Sequence, residues 1–225
     1  AGMTILPGYK WSPKFTSSFG IYHRRVDESL VRQTEALTRS SLRDNDRDVA
    51  LIVRFEYDNT NNYHGYLEGA KISIESAFSD NRFYSDFDYT RQEIRFSSGL
   101  TFFDRDYNWV NHLSVKIGQG LPYYREFSSG GTNLHGYIAN QFRGDTRYSS
   151  NQEFLFPIHN FSRFFLRGAF LYDSHVIYFK DEKFSKEAWK NGLGAGLRLY
   201  MKGVVIPLLG FDVGWAIEDK TYATY

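Results

Sequence analysis

The amino-acid sequence predicts an all-β fold, and more specifically a transmembrane antiparallel up-and-down β-barrel. Three observations lead to this prediction. Apolar and polar residues alternate along several stretches, these stretches are longer than most strands of soluble proteins, and aromatic residues collect near their ends. Strict alternation is typical of strands whose two faces meet different surroundings. The chain has 225 residues, of which 18% are aromatic and 24% are charged, and this fits one apolar surface and one wet surface.

The alternation is clearest around residues 48–58 and in the last part of the chain. From residue 49 to residue 57 every odd position is apolar, whereas charged residues such as Arg54 and Glu56 occupy even positions. Similar apolar series follow at 193–201 and 209–217, where glycine and charged residues fill most of the intervening positions. We therefore expect each strand to have one apolar face and one polar face.

Strand length favours a membrane over a soluble environment. Strands in soluble proteins usually have about 5–6 residues, whereas membrane-spanning strands need about 9–11 and carry aromatic girdles at both interfaces. Trp109, Trp189 and Trp215 fall near the ends of predicted strands. The alternative is a soluble barrel or sandwich, whose apolar faces would point inwards. The chain has up to eleven predicted strands, and a soluble barrel of that size would enclose a wide apolar lumen, which water fills at high cost. We therefore expect the apolar face to meet lipid and the charges to line the inside.

Long polar loops alternate with tight turns, as in outer-membrane barrels. The long loops cover residues 27–46, 79–86, 120–146 and 180–190. Between them we expect ten to twelve strands that form a single transmembrane domain over residues 1–225. The predicted strands are 4–11, 14–26, 47–58, 66–78, 87–103, 109–119, 147–158, 163–179, 191–203, 207–218 and a short last one at 221–225.

The composition argues against several classes of function. The net charge is +1 and the lysines and arginines are scattered, so the sequence lacks the basic tract of a nucleic-acid-binding protein. There is no cysteine, and the six histidines show no paired metal-ligand spacing. A Gly-x-Ser-x-Gly elbow, which would mark a hydrolase, is absent from the sequence. We therefore expect no enzyme, no catalytic residues, no metal and no cofactor.

The loop at 120–146 contains the residues that we single out as a candidate functional site. A loop of this length is usually either functional or disordered, and its apolar residues indicate that it folds against the rest of the chain. Its closely spaced glycines indicate unusual backbone conformations or very close contacts. The loop motif comprises Gly130, Gly131, Leu134, His135, Gly136, Tyr137, Arg143, Gly144 and Asp145.

This loop motif resembles the bacterial outer-membrane protein assembly-factor and surface-antigen superfamily. Its members include BamA-like and TamA-like proteins and the barrels attached to patatin-type lipases. The resemblance covers most of residues 50–220 and implies a barrel whose long loop folds into the lumen. The three glycines at 192, 194 and 196 either leave room for that loop or let the sheet bend. Further matching positions are the segment 121–127, Asn151, Glu153, Pro157, Asp173, Gly192, Gly194, Gly196 and Arg198.

The resemblance implies that carboxylates on the barrel wall hold an arginine of the loop. By position these carboxylates are Glu153 and Asp173, and His135 occupies the arginine position. A neutral imidazole makes a weaker latch than a guanidinium, which is always charged and can bind at two points. Arg143 could substitute, so the cation of the latch is either Arg143 or protonated His135. Two carboxylates aimed at one buried point would raise the pKa of His135.

The resemblance also implies a location and a role. Family barrels are larger, so the chain resembles the C-terminal part of such a barrel or forms a smaller one. The implied location is the outer membrane of a Gram-negative bacterium, and the implied role is to insert or translocate proteins across it. The alternative is a passive pore, or a barrel that anchors a lipase-type or other domain. The implied partners are the lipid bilayer, substrate outer-membrane or secreted proteins, and accessory envelope proteins or further copies of the chain, with no nucleic acid.

Overall fold

The computed structural model describes residues 2–26, 46–63, 66–103, 106–182, 188–204 and 207–224. Except for residue 46, the predicted loop at 27–46 lies outside these ranges, as do residues 183–187 of the loop at 180–190. Short 3₁₀ turns occur at Asn81–Phe83 and Tyr123–Arg125. The strands are β1 (Gly2–Ile5), β2 (Gly8–Ser12), β3 (Phe15–Val26), β4 (Asp46–Asp58), β5 (Asn61–Tyr63), β6 (Tyr66–Ser79), β7 (Tyr89–Phe102), β8 (Tyr107–Gln119), β9 (Phe127–Ser129), β10 (Phe142–Gly144), β11 (Thr146–Asn160), β12 (Phe164–Tyr178), β13 (Trp189–Met201), β14 (Leu209–Ala216) and β15 (Tyr222–Thr224).

The strands form an antiparallel up-and-down sheet. Hydrogen bonds link them in the order β1-β3-β4-β6-β7-β8-β11-β12-β13-β14-β15, while β2 pairs with β3 and β5 pairs with β6. Strands β9 and β10 form a separate two-stranded hairpin. The long strands of the sheet coincide with the predicted strands to within a few residues, because each carries its own alternating pattern. Within the ranges above, no helix is long and apolar enough to cross a membrane.

The folded chain divides into two compact units. The first comprises residues 1–57, 73–94 and 116–126, and the second comprises 58–72, 95–115 and 127–225. The expectation of a single domain over residues 1–225 stays a prediction.

In the first unit, charged side chains lie on a buried face of the sheet and apolar side chains on an exposed one. Strands β3 and β4 pair along their whole length. On β4, Asp48 is fully buried, whereas Phe55 and Tyr57 are 46% and 42% exposed. Arg54 of β4 forms an ion pair with the buried carboxylate of Glu75 on β6. The alternation in the sequence therefore separates a buried polar face from an exposed apolar face.

The second unit shows the same separation along its longest strands. Antiparallel pairing joins β11 to β12, with one register shift between Pro157 and His159, and it joins β12 to β13 and β13 to β14 without a shift. Asp173 and Arg167 of β12 are buried on one face. The opposite face exposes large apolar side chains, as a wall in contact with lipid requires. These exposed residues include Trp109, Phe154, Phe170, Leu193, Leu197, Phe211, Val213 and Trp215.

The loop at 120–146 has more structure than its sequence predicts. It begins with the turn Tyr123–Arg125 and continues into the hairpin of β9 and β10, in which Ser128 lies opposite Arg143. Residues 130–141, which we call the loop tip, connect these two strands. Strands of three residues are too short to show an alternating pattern, so the sequence predicts only an irregular loop here.

Candidate functional site

The loop tip is a compact turn that packs on the polar face of the second unit. Gly131 N donates to Tyr137 O at 3.0 Å, and Leu134 N donates to Gly131 O at 3.2 Å. Gly136 has a φ of 89°, in the left-handed region that glycine adopts without a steric penalty. All four residues from Leu134 to Tyr137 are buried. The tip is therefore a packed part of the fold, as its apolar residues indicated.

His135 makes the main polar contacts between the tip and the wall. Its backbone N–H donates to Asp173 Oδ2 at 2.8 Å, and its imidazole Nδ1 donates to the same oxygen at 2.5 Å. Its Nε2 lies 3.7 Å from Asp212 Oδ2. The imidazole thus lies between carboxylates of β12 and β14, and its side chain is only 8% exposed. We call these contacts of His135 with Asp173 and Asp212 the His135 latch.

The surroundings of His135 favour its protonated form. Burial by itself lowers the pKa of the imidazole, but the hydrogen bonds and negative charges of Asp173 and Asp212 outweigh burial and raise the pKa from 6.5 to about 9. Opposite charges within a few ångström stabilise the charged form of a titrating group. At neutral pH His135 therefore carries a positive charge and can act as the cation of the latch.

A polar network around Asp173 ties more of the loop to the wall. Asn151 Nδ2 donates to Asp173 Oδ1 at 2.6 Å and to the backbone oxygen of Asn133 at 2.7 Å. His175 of β12 is hydrogen-bonded to Ser129 of β9 through Nδ1 and lies 3.3 Å from Asn151 Oδ1 through Nε2. Ser129 and His175 are almost fully buried, so a substrate does not reach this serine. Their contact fastens the hairpin to the wall.

Arg198 of β13 joins the remaining carboxylates of the site. Its Nη1 donates to Asp212 Oδ1 at 2.5 Å, and its Nη2 lies 3.1 Å from Glu153 Oε1. The planar guanidinium can contact two carboxylates at once, which a lysine cannot do with the same geometry. The result is a row of alternating charge: Glu153, Arg198, Asp212, His135 and Asp173.

Two glycines of the wall allow the tip to lie directly against the strands. A Cβ atom at Gly192 of β13 would overlap the carbonyl oxygen of His135. A Cβ atom at Gly214 of β14 would lie 2.5 Å from the backbone nitrogen of Gly136 and 2.7 Å from the Cβ of His135. Glycine in a strand often marks such a close backbone approach. Of the two explanations for the glycines of β13, room for the loop therefore applies to Gly192.

Apolar packing holds the tip beside the His135 latch. Leu134, Tyr137 and Ala216 form a buried cluster, against which Phe142 packs. The hydroxyl of Tyr137 donates to Glu218 Oε2 at 2.5 Å. Burial and the neighbouring carboxylate of Glu218 raise the pKa of Tyr137 above its usual range. The phenol therefore stays protonated and keeps donating to Glu218.

The comparisons with known proteins place this chain in a family. The model of the Omp85 superfamily domain matches residues 1–225. The chain belongs to the Omp85 superfamily. The resemblance found in the loop motif is thereby confirmed. No curated protein sequence matches the chain.

A solved structure shows the same fold as this Omp85 superfamily member. The crystal structure of BamA from Haemophilus ducreyi lacking POTRA domains 1–3 matches with a TM-score of 0.70 and 13% sequence identity. The match covers 99% of this chain and 51% of that chain, so the chain spans about half the length of the BamA chain. The predicted fold class, an antiparallel up-and-down barrel fold with many strands, is confirmed.

The predicted site residues of this Omp85 superfamily chain separate into two groups. Asp173 contacts His135 directly, whereas Glu153 reaches the site through Arg198. Arg143 lies in β10, at the base of the loop tip. Asp145 accepts a hydrogen bond from Lys180 N at 3.1 Å, so the stretch from residue 143 to residue 145 fastens the base of the hairpin. Of the two candidate cations, His135 is the one that the structure places on Asp173.

Asp212 is the residue of the site that the sequence analysis misses. It occupies a polar position in the alternating stretch 209–217, so the sequence predicts that its side chain lies on the polar face of the sheet. The sequence does not predict its contact with His135, because that contact depends on the register of β14 against β13 and on the path of the loop. A carboxylate between two wall glycines, Gly210 and Gly214, was the available signal.

Proposed function

We propose that this Omp85 superfamily barrel inserts or translocates polypeptides across the bacterial outer membrane, with the loop tip held on its polar face by the His135 latch. The observation that carries the proposal is the His135 latch, in which a cationic loop residue lies between Asp173 and Asp212. The resemblance of the loop motif to assembly factors supports it, and so does the fold shared with BamA.

The two faces of the sheet support an outer-membrane location. Large apolar side chains such as Phe170, Leu197 and Trp215 are 45–58% exposed, and lipid would cover them at no cost. The partners that follow from this location are the lipid bilayer and unfolded outer-membrane or secreted proteins, with accessory envelope proteins or further copies of the chain. Barrels of this superfamily are generally not enzymes, and we propose no catalytic role.

The alternative is a passive pore or an anchoring barrel, and the packing of the tip bears on the choice. A passive pore needs an open, wet lumen. The tip instead has four consecutive buried residues, Leu134 to Tyr137, and it packs against backbone at Gly192 and Gly214. A loop packed on the polar face in this way favours a barrel whose lumen is partly filled by the loop over a permanently open pore.

Assisted folding of a client barrel in liposomes tests the proposal. We expect liposomes with the wild-type protein to fold an unfolded outer-membrane barrel several times faster than empty liposomes, measured by heat-modifiable gel migration. His135→Ala should remove most of this acceleration, and His135→Arg should keep it, because the guanidinium retains the positive charge. His159→Ala, at an exposed histidine of β11, is the matched control and should behave as wild type.

The opposite results would point to the alternatives. Client folding at the rate of empty liposomes would refute the proposed function. A large, steady conductance of the same wild-type protein in planar bilayers would then identify a passive pore. The absence of conductance, together with client folding at the rate of empty liposomes, would favour the anchoring barrel.

A further inference from the structure

The segment 121–127 resembles the family, but the His135 latch does not use it. Its residues 121–126 belong to the first unit and contain the turn Tyr123–Arg125, closed by a hydrogen bond from Arg125 N to Pro122 O at 2.8 Å. The side chain of Arg125 donates from Nε to Asp48 Oδ2 at 2.9 Å. Asp48 is fully buried, and the side chain of Arg125 is 14% exposed. Arg125 of the loop therefore pairs with a carboxylate of β4, Asp48, which takes no part in the His135 latch.

Aromatic rings of the wall complete the surroundings of Arg125. Its guanidinium carbon lies 3.8 Å from the ring centre of Tyr22 and 5.6 Å from that of Tyr89. The hydroxyl of Tyr89 donates to Asp48 Oδ1 at 2.9 Å, so both oxygens of Asp48 accept hydrogen bonds. A guanidinium stacks on such rings through its planar face while its edge binds the carboxylate. Strands β3, β4 and β7 each supply one of these partners, Tyr22, Asp48 and Tyr89.

The contact of Arg125 with Asp48 resists opening. Removal of one partner of a buried ion pair leaves the other charge buried and uncompensated, which is strongly unfavourable. Arginine stays protonated at every pH that proteins experience. Arg125 therefore keeps its positive charge at alkaline pH, in contrast to His135, whose imidazole loses its proton as the pH rises.

We propose that Arg125 and Asp48 form an anchor separate from the His135 latch, which holds the base of the loop, residues 121–127, on the wall when the His135 latch opens. Only the loop tip then moves, and it turns about Gly130 and Gly131, whose φ values are 122° and 70°. Arg125 is a positioning residue in this proposal, because it keeps the base of the loop in place and so guides the tip back to Asp173 when the His135 latch closes. The proposal concerns the attachment of the loop and goes beyond the proposed function, since it holds for any polypeptide or ion that the barrel conducts.

Hydrogen–deuterium exchange of the protein in detergent or nanodiscs tests this independence. Peptides covering residues 119–127 report on the base, and peptides covering 130–141 report on the tip. We expect His135→Gln to speed amide exchange in the tip by about tenfold or more while exchange in the base stays within about twofold of wild type. Arg125→Ala should speed exchange in the base, and the double variant should open both segments.

Two further variants keep the test decisive. Asp48→Asn removes the charge on the wall side and should match Arg125→Ala. Arg125→Lys keeps the positive charge but loses the planar stack on Tyr22, so exchange in the base should lie between that of wild type and that of Arg125→Ala. Arg82→Ala is the matched control, since Arg82 is a highly exposed arginine of the same unit, and it should change neither segment.

Clear results would overturn the proposal. If His135→Gln speeds exchange in the base as much as in the tip, the Arg125 contact does not hold the base independently of the His135 latch. If Arg125→Lys and Asp48→Asn both leave exchange in the base at the wild-type rate, the ion pair is not an anchor. Exchange in β11–β14 reports the folded state of every variant. The experiment contains no client protein, so its failure is distinct from a failure of the proposed function.

Discussion

The backbone N–H and the imidazole Nδ1–H of His135 converge on one oxygen atom, Oδ2 of Asp173, at 2.8 and 2.5 Å. The other oxygen of Asp173 accepts a hydrogen bond from Asn151. One of the two donors of His135 is part of the backbone, so a side-chain substitution removes only the other. The loop tip therefore has a fixed attachment through the backbone and a titratable attachment through the imidazole.

The titratable attachment predicts that the tip loosens at alkaline pH. The pKa of folded His135 is about 9 and its ordinary value is 6.5. The protonated imidazole therefore stabilises the closed tip fully below about pH 6.5, and this stabilisation is lost as the pH rises through about 9. A pKa difference of this size corresponds to roughly 3 kcal/mol. A spin label on Ile138→Cys, at a 75% exposed position of a chain without cysteine, should become mobile with a midpoint near pH 9.

A guanidinium at position 135 provides the control for this titration. His135→Arg should keep the spin label immobile up to about pH 11, because arginine does not lose its proton in that range. A label that is equally immobile at about pH 7 and about pH 10.5 in the wild-type protein would show that the charge of the imidazole does not hold the tip.

Substitution of Gly214 by alanine should displace the tip without changing its charge. The new Cβ would lie 2.5 Å from the backbone nitrogen of Gly136, and such overlap in a packed region typically costs about 1–3 kcal/mol. Gly210→Ala, in the same strand, is the matched control, since its nearest neighbour is the flexible side chain of Arg198 at 3.6 Å. Urea unfolding followed by gel migration should show a lower midpoint for Gly214→Ala only. Equal midpoints would mean that the tip adjusts freely.

The strands could be predicted from the sequence because their signal is local. On β4, the apolar positions Phe55 and Tyr57 and the charged position Arg54 lie next to one another in the chain, and the period of two assigns them to opposite faces. The exposed fractions of Phe55 and Tyr57 agree with this assignment. The short hairpin of β9 and β10 gave no such signal, because three residues do not establish a period.

The partners within the site could be predicted only in part, because they depend on long-range register. The motif identified His135 and Asp173, which are in direct contact. It did not separate the roles of Glu153 and Arg143, and it missed Asp212, which reaches His135 from a strand far along the chain. These contacts require the path of the loop across β12, β13 and β14, and local alternation contains no information about that path.

The hydrogen bond from Tyr137 to Glu218 should contribute to the attachment of the tip. Tyr137→Phe keeps the ring in its buried cluster but removes the hydroxyl that donates to Glu218 Oε2 at 2.5 Å. Loss of a hydrogen bond to a charged group costs about 1.5–3 kcal/mol, and the exposed position of Glu218 reduces the cost to about 1 kcal/mol. We expect a lower urea midpoint for Tyr137→Phe than for Tyr222→Phe, whose ring is 76% exposed. If the two midpoints coincide, the hydroxyl does not stabilise the fold.

Asp212→Asn should lower the pH at which the tip loosens. The carboxylate of Asp212 is one of the two that raise the pKa of His135, and a nearby opposite charge contributes roughly one pH unit or more. The midpoint of the spin-label titration should therefore fall by about one unit, while the tip stays closed at neutral pH through Asp173. Asp219→Asn is the matched control, because Asp219 lies 3.6 Å from Lys190 and belongs to a separate ion pair. An unchanged midpoint in Asp212→Asn would show that Asp173 alone sets the charge of His135, and that Asp212 serves Arg198 and not the His135 latch.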